Sequence, residues 1–130
     1  MADIATREVY GRTLVELGGE RPDVVVLDAD VSPSTMTCYF AEAFPERHFD
    51  CGIAEQNMVS IAAGLASAGK VVFVSTFAVF AAPKVYDQVR MNLAQPGHNV
   101  KIVATHGGVT VGEDGFSHQA IEDLALMTSV

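Results

Sequence analysis

Three short valine-rich runs constrain this chain more than any other feature. Asp23-Val24-Val25-Val26-Leu27 is a short continuous apolar run where a half-exposed strand would alternate, and Lys70–Ser75 and Val100–Thr105 read as further strands. A strand without alternation is buried on both faces, which is the habit of parallel sheets covered by helices. A brief further strand is expected at Arg47–Asp50. Helical patterns fill the intervals. Val9, Tyr10, Leu14, Val15 and Leu17 give an amphipathic helix from Thr6 to Gly18, closed by Gly18-Gly19. Ser32-Pro33-Ser34 is a turn or helix start, and Met36–Phe44 a short helix before Pro45. Another helix opens at Glu55, a long one runs from Phe77 to Leu93 with a break at Pro83, and a last one spans Ser117–Met127. Strands alternating with helices predict an α/β fold with an open, mainly parallel sheet flanked by helices. At 130 residues and 49% hydrophobic content, residues 1–130 are expected to form a single domain.

That architecture says where function belongs. Ligands of open parallel sheets bind beyond the carboxyl ends of the strands. Asp28-Ala29-Asp30, Cys51 to Glu55, Ser75 to Phe80 and His106 to His118 all follow such ends, so they converge on one rim. Glu55 opens a helix that carries no further charge before Lys70, and such a helix is expected to be buried on most sides. Burial favours the neutral carboxyl, whereas the helix start favours the anion. A carboxylate between those pulls suits sharing a proton with a ring nitrogen. Taken alone, Glu55 reads more simply as an acid offsetting the helix dipole. Phe77 and Phe80, one turn apart, read alone as core.

The bulk properties exclude several classes. A net charge of −8 argues against nucleic acid or anionic membranes as partners. No apolar run approaches the roughly 20 residues of a membrane span, and Met1-Ala2-Asp3-Ile4 lacks the regions of a signal peptide. Cys38 and Cys51 fit free thiols in a reducing cytoplasm. His48, Cys51 and Cys38 have poor zinc spacing, and no metal ligands are expected on this chain. Glycines 107, 108, 112 and 115 match no phosphate loop, and neither G-x-S-x-G nor H-E-x-x-H occurs. Ser117, His118 and Asp114 are neighbours in one loop, which rarely converge as a catalytic triad.

Two strings say more. Gly52-Ile53-Ala54-Glu55-Gln56-Asn57, followed by a helix of small residues, resembles the transketolase family of thiamine diphosphate enzymes in the pyrimidine-binding domain. Thr105-His106-Gly107-Gly108-Val109-Thr110-Val111-Gly112-Glu113-Asp114-Gly115-Phe116-Ser117-His118-Gln119 resembles that family's sugar-site loop. The resemblance implies that Glu55 bonds and protonates the N1′ nitrogen of the cofactor's aminopyrimidine. It implies that His106 and His118 contact the sugar or its phosphate, with His118 also catalytic, and that Asp114 meets the hydroxyl beside the donor carbonyl. Thr76-Phe77 with Phe80 is similar to the aromatic pocket around the aminopyrimidine. Where many members carry a further tyrosine this chain has Pro83, leaving Tyr86 as a substitute candidate. Ala5-Thr6-Arg7 resembles the opening motif whose arginine binds a sugar phosphate, and Asp28 to Ser34 the next, with Asp30 near the cofactor and Ser34 near that phosphate.

The departures matter as much. The Gly-Asp-Gly motif with its distant asparagine, by which the family holds the diphosphate through Mg²⁺ or Ca²⁺, is not in this sequence, nor is the family's C-terminal domain. The chain is thus similar to the front of the C-terminal subunit of a split transketolase. The resemblance implies a homo- or hetero-oligomer in which a diphosphate-binding partner chain holds the metal and completes the site. The implied activity is transfer of a two-carbon ketol unit from a ketose phosphate to an aldose phosphate, in the pentose phosphate pathway, by a chain inactive alone. A 1-deoxyxylulose-5-phosphate synthase-like fragment and a non-catalytic assembly or regulatory domain stay open. Asn57, Glu113 and Gln119 favour transketolase over the synthase, and Glu55, His106 and His118 favour an enzyme.

Overall fold

The computed structural model describes residues 4–130; residues 1–3, part of the stretch read above for a signal peptide, lie outside the described residues. The strands are β1 (Val24–Asp28), β2 (His48–Asp50), β3 (Val71–Phe77) and β4 (Val100–Thr105). They form one four-stranded sheet in the order β2-β1-β3-β4, with every pair parallel. The helices of the first half are α1 (Thr6–Glu20), α2 (Ser32–Thr35), α3 (Cys38–Ala43) and α4 (Glu55–Ser67).

The expected double burial holds for β1, where every residue is buried. Successive side chains of a strand point to opposite faces. Val25 and Leu27 accordingly pack with Val72, Val74, Met58 and Ala62 beneath α4. Val24 and Val26 pack with Leu14 and Phe40 beneath α1 and α3. From β1 the chain moves to one edge of the sheet, and from β3 to the other. The loops after β1 and β3 therefore part at the switch point, which is where such sheets bind ligands.

Several elements depart from expectation. Helix α1 runs past Gly18 to Glu20, because Gly18 is a packing residue and not a stop. A Cβ there would stand 2.6 Å from the Phe40 ring and 2.7 Å from Phe44, and one at Gly11 would collide with the Met36 carbonyl. The long helix expected over Phe77–Leu93 is broken up. Phe77 is the last residue of β3, α5 spans only Ala78–Ala81, a turn holds Pro83, α6 covers Tyr86–Gln88, and a wide π-type turn runs from Val89 to Ala94. Proline lacks the amide hydrogen that would continue the helix. The last helix shrinks to α7 (Asp123–Met127), preceded by 3₁₀ turns at Gly108–Asp114 and Phe116–His118.

Helix α4 is also less enclosed than its charge-free sequence suggests. Glu55, Met58, Val59 and Ala62 are buried, while Gln56, Asn57, Ser60, Ile61 and Gly64 face outward. Small and uncharged polar side chains tolerate either environment, so lack of charge did not distinguish them.

Candidate active site

Glu55 is the first residue of α4 and is 2% exposed. The approach to it is held by Asp50, whose Oδ1 accepts the amide hydrogens of Asp30 (3.0 Å) and Gly52 (2.8 Å). Gly52 sits at φ +67°, a left-handed conformation suited to glycine. One carboxylate thus clasps the loop after β1 to the loop after β2. No side chain caps α4, so its positive end is open toward Glu55.

The partner of Glu55 is Lys84, whose Nζ donates to Oε2. Lys84 lies in the turn just after Pro83, and the break in the helix brings it back over α4. Its ammonium also stands 5.1 Å from the centroid of Phe80, within cation–π range. Sequence reasoning passed over Lys84. The signal was present, since it is the one charged residue between Lys70 and Asp87.

The aromatic residues form a wall leading away from that pair. Phe77 and Phe80 stack with centroids 6.1 Å apart and planes 15° apart. Both are half-buried, so they are not absorbed into the core. His106 stacks on Phe77 at 4.1 Å, and His118 meets Phe80 edge-on at 5.6 Å and 83°. Glu55, Phe77, Phe80, His106 and His118 are thereby linked through direct contacts and Lys84.

His106 ends the wall next to Arg7. Arg7 Nη1 donates to His106 Nε2 at 2.8 Å. Nε2 must then accept, so Nδ1 carries the proton and donates to Thr105 Oγ1, also at 2.8 Å. Burial chiefly, and then the Arg7 cation, hold this imidazole below its ordinary pKa, while Asp114 pulls it upward. Asp114, itself exposed, therefore lies within electrostatic reach of His106. Thr6, Arg7, Thr105, His106, Gly107 and Thr110 line a cavity of about 430 Å³. Its donors suit an anion or a hydroxylated ligand. His118 takes its own orientation from Ser117, whose Oγ lies 2.9 Å from Nδ1.

Asp30 and Ser34 lie beyond β1. Asp30 is exposed with φ +63°, and Ser34 is half-buried in α2, whose amide donates to the Val31 carbonyl. Both hang on Asp28, a residue the sequence reading left without a role. Its buried carboxylate accepts the Val31 amide at 2.7 Å and the hydroxyls of Thr35 and Thr37, each at 3.0 Å. Burial pushes its pKa up, against the pull of those donors. Tyr86 does not join the aromatic wall among the described residues; its hydroxyl pairs with Ser129 at 2.8 Å. Also among the described residues, no three His, Cys, Asp or Glu side chains gather to hold a metal ion, and no helix is long and apolar enough to cross a membrane.

What this geometry can do is hold a flat nitrogen heterocycle. A buried carboxylate accepts a ring N–H, a phenylalanine wall takes the ring face, and Lys84 already makes both kinds of contact.

Comparison with known proteins bears on what such a ring belongs to. Residues 2–130 match the family described as transketolase, pyrimidine binding domain. A Methanocaldococcus jannaschii protein described as a transketolase C-terminal section is 56% identical over 124 residues, 95% of this chain and 39% of that protein. Human transketolase is 45% identical over 128 residues, 98% of this chain but 20% of that enzyme. Among solved structures, a split gene transketolase in the form of an inactive beta4 tetramer matches with a TM-score of 0.82 at 59% identity. That match covers 97% of this chain and 40% of the other. The chain thus spans well under half the length of these relatives.

Proposed function

The chain belongs to the transketolase family, through its pyrimidine-binding domain, and from that premise we propose that it forms one half of a thiamine diphosphate-dependent ketol-transfer site. The observation that carries this reading is the unbroken line of contacts from Glu55 through Lys84, Phe80 and Phe77 to His106 and Arg7. It joins a place for a heterocycle to a place for a phosphorylated sugar. When bound, thiamine diphosphate supplies the carbon nucleophile that carries the two-carbon unit from ketose to aldose.

Glu55 holds the ring nitrogen and controls its proton, in a site where the low dielectric strengthens the bond. Phe77 and Phe80 give the ring its face. Asp30, on the loop held by the Asp28 network and the Asp50 clasp, would help to hold the cofactor. Tyr86 reaches the cofactor only once its bond to Ser129 opens, which makes it the weakest of these candidates. Arg7 and Ser34 bind the substrate phosphate, and His106 presents its ring to the sugar. Burial and Arg7 favour the neutral ring, whose Nδ1 is held by Thr105 while Nε2 is shared with Arg7 at the cavity wall. Asp114 fixes a donor hydroxyl, and His118, on the edge of Phe80, exchanges a proton with the substrate oxygen.

The diphosphate and its Mg²⁺ or Ca²⁺ fall to a second chain. Supporting this are the C-terminal section among the relatives and the split gene transketolase solved as an inactive beta4 tetramer. The outward, uncharged side of α4 and the exposed Phe116 and Val109 suit coverage by that partner. The test is reconstitution. This chain, a diphosphate-binding transketolase chain, thiamine diphosphate and Mg²⁺ should together transfer a ketol unit from a ketose phosphate to an aldose phosphate. Neither chain should do so alone, and failure of the assembled mixture would refute the reading.

A further inference from the structure

Lys84 makes two contacts that the proposed function reserves for something else. Its ammonium pairs with Glu55, and it rests over the face of Phe80. These are the carboxylate and the ring assigned above to the aminopyrimidine, so one cation stands where the heterocycle has to bind. We propose that Lys84 is a resident stand-in for the cofactor's ring, one that neutralises Glu55 until the ring docks and then swings out. This rests on the reading of Glu55 and Phe80 as ring contacts.

The arrangement has a physical reason. A carboxylate that is 2% exposed cannot be left without a partner, since a buried lone charge is costly. The helix start offers only partial charge. A lysine supplies a full one, on a stem long and flexible enough to leave. The exit is open, because the Lys84 side chain is 38% exposed whereas that of Glu55 is 2% exposed. The asymmetry settles which partner moves. Glu55 is fixed by the first turn of α4 and stays, while Lys84 is held by a turn between two short helices and can rotate into water.

Two consequences follow. Without cofactor the lysine stabilises the chain, and on binding its displacement opposes the cofactor. Removing it should therefore move stability and affinity in opposite directions, which a residue with a purely structural role would not do. Breaking a half-exposed ion pair on docking weakens binding by about tenfold, or ~1.4 kcal/mol.

The test titrates thiamine diphosphate, with Mg²⁺, into this chain assembled with a diphosphate-binding transketolase chain. Calorimetry is run on the natural sequence, Lys84→Met and Lys84→Arg, with Lys84→Gln replacing the methionine variant if that does not fold. Melting of each chain without cofactor is measured in parallel. Lys84→Met should bind about tenfold more tightly while melting at a lower temperature, and Lys84→Arg should resemble the natural chain in both. Unchanged or weaker binding by Lys84→Met, with the natural chain binding normally, would overturn the stand-in and leave the function intact. No binding by any variant in an assembled complex would overturn the ring site itself, and the stand-in with it.

Discussion

The two sides of the rim are built differently. Glu55 stands on a helix anchored by Met58, Val59 and Ala62 in the centre of the core. The histidine side hangs on 3₁₀ turns, and its large apolar residues are exposed: Val109 at 84%, Phe116 at 90% and Ile121 at 85%. Only Val111 and Ala120 tuck inward there. Burial of one side chain contributes on the order of 1.5–3 kcal/mol, so the glutamate side draws its geometry from this chain's own core. The loop side draws on little of that. On the proposed reading, such a division pairs an acid fixed by the core with a substrate wall that draws little support from it.

The sharpest way to break the comparison is Glu55→Gln. The amide is isosteric and Lys84 can rehydrate, so the fold should survive, while ketol transfer by the assembled enzyme should fall by about 10²–10⁴-fold. Near-normal turnover would detach Glu55 from the chemistry. Next is Met58→Ala, one turn below Glu55 and in contact with the β1–β3 core. It should cost about 2–5 kcal/mol in urea unfolding, and a smaller loss would mean that the glutamate side is not core-anchored.

A third prediction concerns His106. Its pKa lies below the ordinary 6.5, with burial and Arg7 lowering it and Asp114 raising it. Arg7→Met should therefore raise the midpoint of its imidazole NMR titration, and Asp114→Asn should lower it further. The sign for stability follows from linkage. Below about pH 6.5 the unfolded chain binds this proton more readily than the folded one, so the His106 contribution falls as pH falls. Melting from pH 7 downward should show that loss, reduced in Arg7→Met. The smallest effect is expected for Phe116→Ala, within about 0.5 kcal/mol in the chain alone. A loss as large as that of Met58→Ala would erase the contrast between the two sides.

Much of this was legible in the sequence, and the exceptions share a cause. The unbroken run Val24–Leu27 announced a strand buried on both faces, and β1 is one, whereas β3 is buried only in part and β4 is no more than half-buried. The glutamate and histidine strings marked both sides of the candidate site because each follows a strand end. Lys84 stood out as a lone charge, but its pairing with Glu55 was not legible. Its role depends on how far the chain turns at Pro83, and periodicity carries no such information. Gly18 was taken for a helix stop because only the packed structure brings Phe40 and Phe44 against it. The outer side of α4 was misread because glycine, serine and asparagine do not reveal whether they meet protein or water. Residues 119–122 were expected to be helical, but Ala120 is buried and the helix starts only at Asp123.

The central claim is that this chain holds the ring and sugar end of a site whose diphosphate end lies elsewhere. The most direct test is calorimetric titration of thiamine diphosphate with Mg²⁺ into the chain alone, then into the chain with a diphosphate-binding partner. The account predicts no measurable binding in the first titration and saturable binding in the second. Tight binding to the chain alone would contradict it, because the diphosphate would then have a home on this chain.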